Sequence, residues 1–152
     1  MKILLAYDAS PAADTAVEET LKRPWPAGTE VRLVTVVQPP IVPAAPPGFE
    51  ADLAVIERLH TEWRDQATQL LHAAAARLRG RSDLHVESEV RDGSPKASLL
   101  AAIEEWRPDL VVAGSHGERG LGRLLLGSVC HALVTHAACS VEVVKKPPGA
   151  HV

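Results

Sequence analysis

Aromatic side chains are scarce in this 152-residue sequence: three Trp, one Tyr and one Phe make up 3% of it. Stacking platforms for exposed nucleic-acid bases are therefore lacking. An excess of positive charge is lacking too. The formal net charge is −3, which offers no basic face to a phosphate backbone, so nucleic acid is not an expected partner. Cysteine is confined to Cys130 and Cys139, too few for a disulfide-stapled fold and in keeping with a reducing compartment. No apolar run approaches the ~20 residues of a bilayer-crossing helix. The opening run of residues 1–6 turns polar at Tyr7 and Asp8, which is too short for a signal peptide. The expected setting is the cytoplasm, away from membranes.

The remaining composition, 46% hydrophobic and 23% charged, is that of a soluble globular chain, long enough for one domain with a buried core. Short apolar runs alternate with stretches of helical spacing. Residues 3–7 read as a strand ending at Asp8. Ser10-Pro11 then supplies a capping residue and a proline at the first helical position, with Asp14 in the first turn. Ala13, Ala16, Val17, Thr20 and Leu21 recur at helical spacing until Pro24 and Pro26 intervene. Residues 31–37 (VRLVTVV) are β-branched and nearly continuous in apolar character, as in a strand buried on both faces. Five of the ten residues 39–48 are proline, which predicts a surface loop over 39–50.

A long helix follows, with Leu53, Ile56, His60, Trp63, Ala67, Leu70, Leu71, Ala74 and Leu78 on one face, a stripe suited to covering a sheet. Gly80 is its expected stop. Residues 85–90 alternate like a strand near a sheet edge. Gly93-Ser94-Pro95 opens a helix with Leu99, Leu100, Ile103 and Trp106 inward, ended by Pro108. Residues 109–113 form a fourth strand running into Gly114, residues 128–136 a last helix, and residues 141–144 a fifth strand. The expected organisation is one domain over 1–146 and a flexible tail over 147–152.

Strictly alternating strands and helices predict an α/β fold, a three-layer sandwich with a five-stranded parallel sheet. Ligands in such sheets sit beyond the carboxyl ends of the strands, where the winding reverses. With strand order 3-2-1-4-5, Asp8 and Gly114 flank that point.

Residues 114–128 (GSHGERGLGRLLLGS) hold five glycines. Glycine lets another group approach the main chain closely, and a loop of exposed N–H groups leading into a helix suits phosphates. Ser128 could add a hydroxyl, and Arg119 and Arg123 positive charge. A P-loop is excluded, because Arg123 and Leu124 stand where Lys and Ser/Thr belong after Gly117 and Gly122. The G-x-G-x-x-G fingerprint fails as well, since Leu125 follows Gly120-Leu121-Gly122.

The loop does match Gly, two residues, Gly, nine residues, Gly-Ser at Gly114, Gly117, Gly127 and Ser128. This spacing resembles the ATP-binding branch of the universal stress protein family. The likeness extends to Asp8 with Ser10 two residues on, to Gly93-Ser94-Pro95, to Pro108-Asp109-Leu110-Val111-Val112, and to the closing strand after Cys139. It implies an adenine-nucleotide alpha hydrolase-like fold with order 3-2-1-4-5 and a homodimer joined through the last strand. It also implies site roles. Ala6 and Asp8 would border the nucleoside, and Val36 would offer its backbone to adenine. Gly114, Ser115, His116, Gly117, Glu118, Arg119 and Gly120 would wrap ribose and phosphates, with Arg123 nearby. Gly127, Ser128 and Val129 would hold the terminal phosphates. Two positions depart from the family pattern: Thr35 stands where His is common, and Ser140 where Pro is common.

The function this implies is a nucleotide-dependent stress-response module binding ATP with Mg²⁺ held by phosphate oxygens and water. The alternative is a slow ATP hydrolase or adenylyl-transferring enzyme on the same fold. No catalytic residue is assigned, because His116 lacks an identifiable partner base or nucleophile. Asp8 also has a plainer reading as a helix-capping residue. Metal is not expected: Cys130, His131 and His136 diverge around a helix and Cys139 lies beyond it, so the four do not converge on one point. Nothing in the chain matches Cys-x-x-Cys. The proline-rich loop, following Val36 closely, is expected to lid the adenine end.

Overall fold

The computed structural model describes residues 1–41, 52–116 and 126–145. Most of the proline-rich segment, the tail, and Gly117, Glu118, Arg119, Gly120 and Arg123 lie outside the described residues. The elements follow the expected alternation: β1 (Lys2–Ala6), α1 (Pro11–Lys22), β2 (Thr29–Val37), α2 (Leu53–Arg79), β3 (Leu84–Asp92), α3 (Pro95–Trp106), β4 (Leu110–Gly114), α4 (Ser128–His136) and β5 (Ser140–Val144). All neighbouring strands are parallel, and their order is β3-β2-β1-β4-β5.

Successive strand residues point to opposite faces, and this divides the core in two. Ile3 and Leu5 of β1 pack with Ala13, Ala16 and Val17 of α1 and with Leu71, Ala74, Ala75 and Leu78 of α2. Leu4 packs on the other side with Leu99, Ala102 and Ile103 of α3 and with Cys130 and Leu133 of α4. Helices therefore cover both faces, and the winding reverses between β1 and β4. Polar groups occupy both edge strands. Arg79 and Arg64 of α2 donate to the Val86 and Val90 carbonyls of β3 (3.3 and 3.4 Å). On β5, Glu142 forms a two-pronged ion pair with Arg23 just beyond α1, which neutralises the carboxylate on that edge strand.

The helix boundaries have local causes. Ser10 Oγ accepts the Ala13 N–H at 3.2 Å to cap α1. That helix ends where Arg23, at φ −83° and ψ 143°, takes the extended conformation that the following proline favours. Gly80 does end α2, but at φ −62°, a conformation open to any residue rather than one reserved for glycine.

The main departure from expectation is α2. Its apolar stripe was to be buried along its length, yet only Leu71, Ala74, Ala75 and Leu78 are, and Leu53 is 71% exposed. Length explains this. Twenty-seven residues make a helix about 40 Å long, whereas the nine residues of β3 span about 30 Å. Because α2 runs antiparallel to the strands, the overshoot lies above their carboxyl ends.

Those ends are tied together by one buried side chain. Thr35, where the family pattern favours His, donates its hydroxyl to the Tyr7 carbonyl at 2.6 Å and is only 7% exposed. Thr35→Val keeps the shape and takes the hydroxyl donor away from that carbonyl. We expect it to lower unfolding stability by about 1 kcal/mol, read as a lower urea midpoint at unchanged slope. An unchanged midpoint would dismiss the tie.

Candidate functional site

A cleft of about 820 Å³ opens at the carboxyl edge of the sheet. Of the residues singled out in the sequence, Ala6, Asp8, Val36, Gly114, His116, Gly127, Ser128 and Val129 line it. Ser115 does not. It lies beneath, 4% exposed, and its backbone fastens the region. Its N–H donates to the Val144 carbonyl (2.8 Å), and its own carbonyl accepts the Gly127 N–H (2.9 Å). The loop thus leaves and re-enters the fold at one point.

The turn after β1 is held by its own side chains. Asp8 accepts the Ser10 N–H at 3.0 Å, and the intervening Ala9 sits at φ 60°, a left-handed conformation unfavourable for alanine. Ser10 is 2% exposed. Besides capping α1 it donates to the His116 carbonyl at 3.3 Å, joining the turn after β1 to the turn after β4.

Gly114 proves to have a packing reason. A Cβ there would lie 2.6 Å from the Ala12 carbonyl carbon and 2.7 Å from the Ala13 nitrogen, so α1 can start against β4 only if this residue is glycine. Gly127 is different: at φ −57° and ψ 150° its backbone suits any residue, and it lines the cleft.

The helix starts differ in a telling way. α1 and α2 are capped by Ser10 and Asp52 side chains. α3 and α4 have no side-chain cap bond, and both begin on the cleft, at Ser94, Pro95 and Lys96 and at Gly127, Ser128 and Val129. The first intrahelical bond of α4 is His131 N–H to the Gly127 carbonyl, 2.9 Å. The amides of Ser128, Val129 and Cys130 precede it, at the positive end of the helix dipole, an arrangement suited to an anion.

Other polar groups sharpen the picture. His116 Nδ1 lies 3.0 Å from Ser115 Oγ, while its Nε2 is buried and meets no hydrogen-bond partner among the described residues. The Cys130 thiol donates to the Gly114 carbonyl (2.7 Å). Burial, and then the Asp8 charge, push its pKa from 9.0 to about 11, so it is a neutral packing group rather than a nucleophile. Burial, followed by the hydrogen bond to Asp14, raises Tyr7 from 10.0 to about 12. Among the described residues no group of three or more His, Cys, Asp or Glu could hold a metal ion. No helix among them is long and apolar enough to cross a membrane.

Sequence reasoning overlooked Trp63, Gln38, Lys96 and Leu99 as cleft residues. Lys96 was legible in principle, since Gly93-Ser94-Pro95 places it in the first turn of a helix starting at the carboxyl edge. Trp63 was assigned to the core stripe.

The model of the universal stress protein family matches residues 1–145. The chain belongs to that family. Universal stress protein A homolog 2 of Coxiella burnetii is 29% identical over 145 residues, covering 95% of this chain and 94% of that protein. Universal stress protein MJ0531 of Methanocaldococcus jannaschii is 40% identical over 62 residues, 41% of this chain, and the match spans only 36% of that relative. Among solved structures, that of MJ0577 aligns over 97% of both chains at a TM-score of 0.80 and 23% identity. A universal stress protein of Arabidopsis thaliana with AMP bound aligns over 99% of this chain and 94% of its own at 0.67 and 22%. A universal stress protein in complex with cAMP covers 95% and 96% at 0.61 and 19%. At these identities the structures establish a shared fold.

Two outcomes follow for this family member. Gly114→Ala should destabilise the fold by about 1–3 kcal/mol through overpacking against α1, seen by urea unfolding without any ligand; wild-type stability would refute the close approach. The second concerns alkaline pH. Cys130 and Tyr7 hold their protons more tightly folded than unfolded, so their stabilising contribution is complete below pH 9 and is lost as pH rises through about 11 and 12. The urea midpoint should fall across that window, and less steeply in Cys130→Ala/Tyr7→Phe. Parallel curves for the two proteins would count against it.

Proposed function

We propose that this chain binds ATP in the cleft and acts as a nucleotide-dependent stress-response module. The observation that carries the reading is the start of α4, where Gly127 offers no side-chain cap and the residues Ser128, Val129 and Cys130 line the cleft with a buried His116 Nε2 that meets no partner among the described residues. These groups fit an anion that brings several acceptor oxygens. Relatives of the same fold with AMP bound or in complex with cAMP add support.

In this reading Gly127, Ser128 and Val129 hold the phosphates through main-chain N–H groups and the Ser128 hydroxyl. Gly114 and His116 form the described part of the wall around ribose and phosphates, with Ser115 supporting it from beneath. Gly117, Glu118, Arg119, Gly120 and Arg123 are proposed to complete it. Asp8 accepts from the ribose hydroxyls, Ala6 borders the nucleoside, and Val36 offers its backbone to the base. Mg²⁺ bound with ATP neutralises phosphate charge and is held by phosphate oxygens and water. Two chains join through the edge strand β5, in the cytoplasm, where Cys130 and Cys139 stay reduced as they are here.

Equilibrium binding of labelled ATP tests the reading. Wild type should bind. Gly127→Val should bind at least about tenfold more weakly, with the urea midpoint of the variant measured alongside to separate a lost site from a lost fold. Ser128→Ala should lose about tenfold, the size of one hydrogen bond to a charged group. Failure of wild type to bind ends the proposal. Rapid ATP turnover abolished by His116→Ala would move the assignment to the hydrolase alternative.

A further inference from the structure

The fold treats its three tryptophans differently. Trp25 donates its Nε1–H to the Thr20 carbonyl at 2.8 Å, with the Arg23 guanidinium 6.0 Å from its ring. Trp106 is covered by Arg32 at 4.5 Å and Lys2 at 5.3 Å. Trp63 makes neither kind of contact among the described residues. Its ring lines the cleft and is 44% exposed, on the part of α2 that overshoots the sheet.

That part of α2 is nonetheless held in place. Asp92, the last residue of β3 and in register with Val37, engages α2 on both sides of Trp63. Arg64 forms an ion pair with its carboxylate, and His60 Nε2 lies 3.2 Å from it without making a hydrogen bond among the described residues. The Gly93 N–H closes the corner by donating to the Val37 carbonyl at 3.0 Å. The ends of β2 and β3 and the overshoot of α2 meet at one place, and an aromatic face is presented there. The start of α4 lies on the far side of β1. One intervening strand puts the ends of β2 and β4 about 10 Å apart, and the cleft crosses those ends from the face covered by α2 to the face covered by α4, lined by Trp63 on one side and by Ser128 and Val129 on the other.

We infer that Trp63 is a base-stacking residue: the planar base of a nucleotide whose phosphates rest on α4 lies against its ring. The inference rests on the nucleotide reading above and adds a specificity to it. A π-face attracts any heteroaromatic base, so Trp63 selects nucleotides over bare polyphosphates without choosing adenine over guanine. Base identity falls to hydrogen bonds at the end of β2.

Calorimetric titration of the full chain with ATP, GTP and inorganic triphosphate, each with Mg²⁺, tests this on wild type, Trp63→Phe and Trp63→Leu. Trp63→Leu should weaken ATP about tenfold, and whatever GTP binding wild type has should fall by a similar factor. Trp63→Phe should retain most of the affinity, and triphosphate binding should be the same in all three. With Trp25 and Trp106 replaced by Phe, the remaining Trp63 emission should be quenched by ATP and not by triphosphate. Unchanged ATP affinity in Trp63→Leu, or an equal loss of triphosphate, overturns the stacking role while leaving nucleotide binding standing. A wild type that binds neither ATP nor triphosphate overturns both.

Discussion

The close approach of α1 to the end of β4 is the constraint on which the site depends. It leaves no space for a single methyl group at Gly114. Where the two segments meet, Ser10 caps α1 and hydrogen-bonds the His116 carbonyl, so the turns after β1 and β4 become one rigid corner. Asp8 stands on one side of that corner and His116 on the other. Ser115 then sets the return of the chain, through the Gly127 N–H, at the point from which α4 starts. The strained Ala9, at φ 60°, is a concession of about 1–2 kcal/mol within this arrangement. Such strain persists only where the surroundings over-determine it.

A second theme is where the fold leaves backbone groups unsatisfied. A capped helix start contributes about 1 kcal/mol, and the chain takes that contribution at α1 and α2. At α3 and α4, both of which begin on the cleft, it forgoes side-chain caps. Stability and recognition compete for the same N–H groups, and here the capping residues Ser10 and Asp52 do not line the cleft whereas the starts of α3 and α4 do. The neutral Cys130 thiol and the buried Tyr7 hydroxyl belong to the supporting structure.

Much of this was readable beforehand. Ser10-Pro11 announces a capped helix through chemistry local to four residues, and β2 declares itself by β-branched apolar continuity. The glycine spacing from Gly114 to Gly127 marks the loop after β4. Two kinds of feature escaped. The reason for Gly114 was hidden because its neighbour, α1, lies about a hundred positions earlier in the chain. The exposure of Trp63 was hidden because periodicity reports which face of a helix is apolar and says nothing of how far the sheet extends beneath it. Leu53 and Leu78 look alike in the stripe, yet one is 71% exposed and the other fully buried.

The amino-acid order alone therefore determined the succession of elements and the parallel sheet, because these follow from short-range periodicity, capping and turn chemistry, whereas the strand order was legible only through the family resemblance. Tertiary structure decided that Gly114 serves packing, which helix starts line the cleft, and which tryptophan reaches it. Those outcomes depend on distances between segments remote in the chain, and only packing sets them.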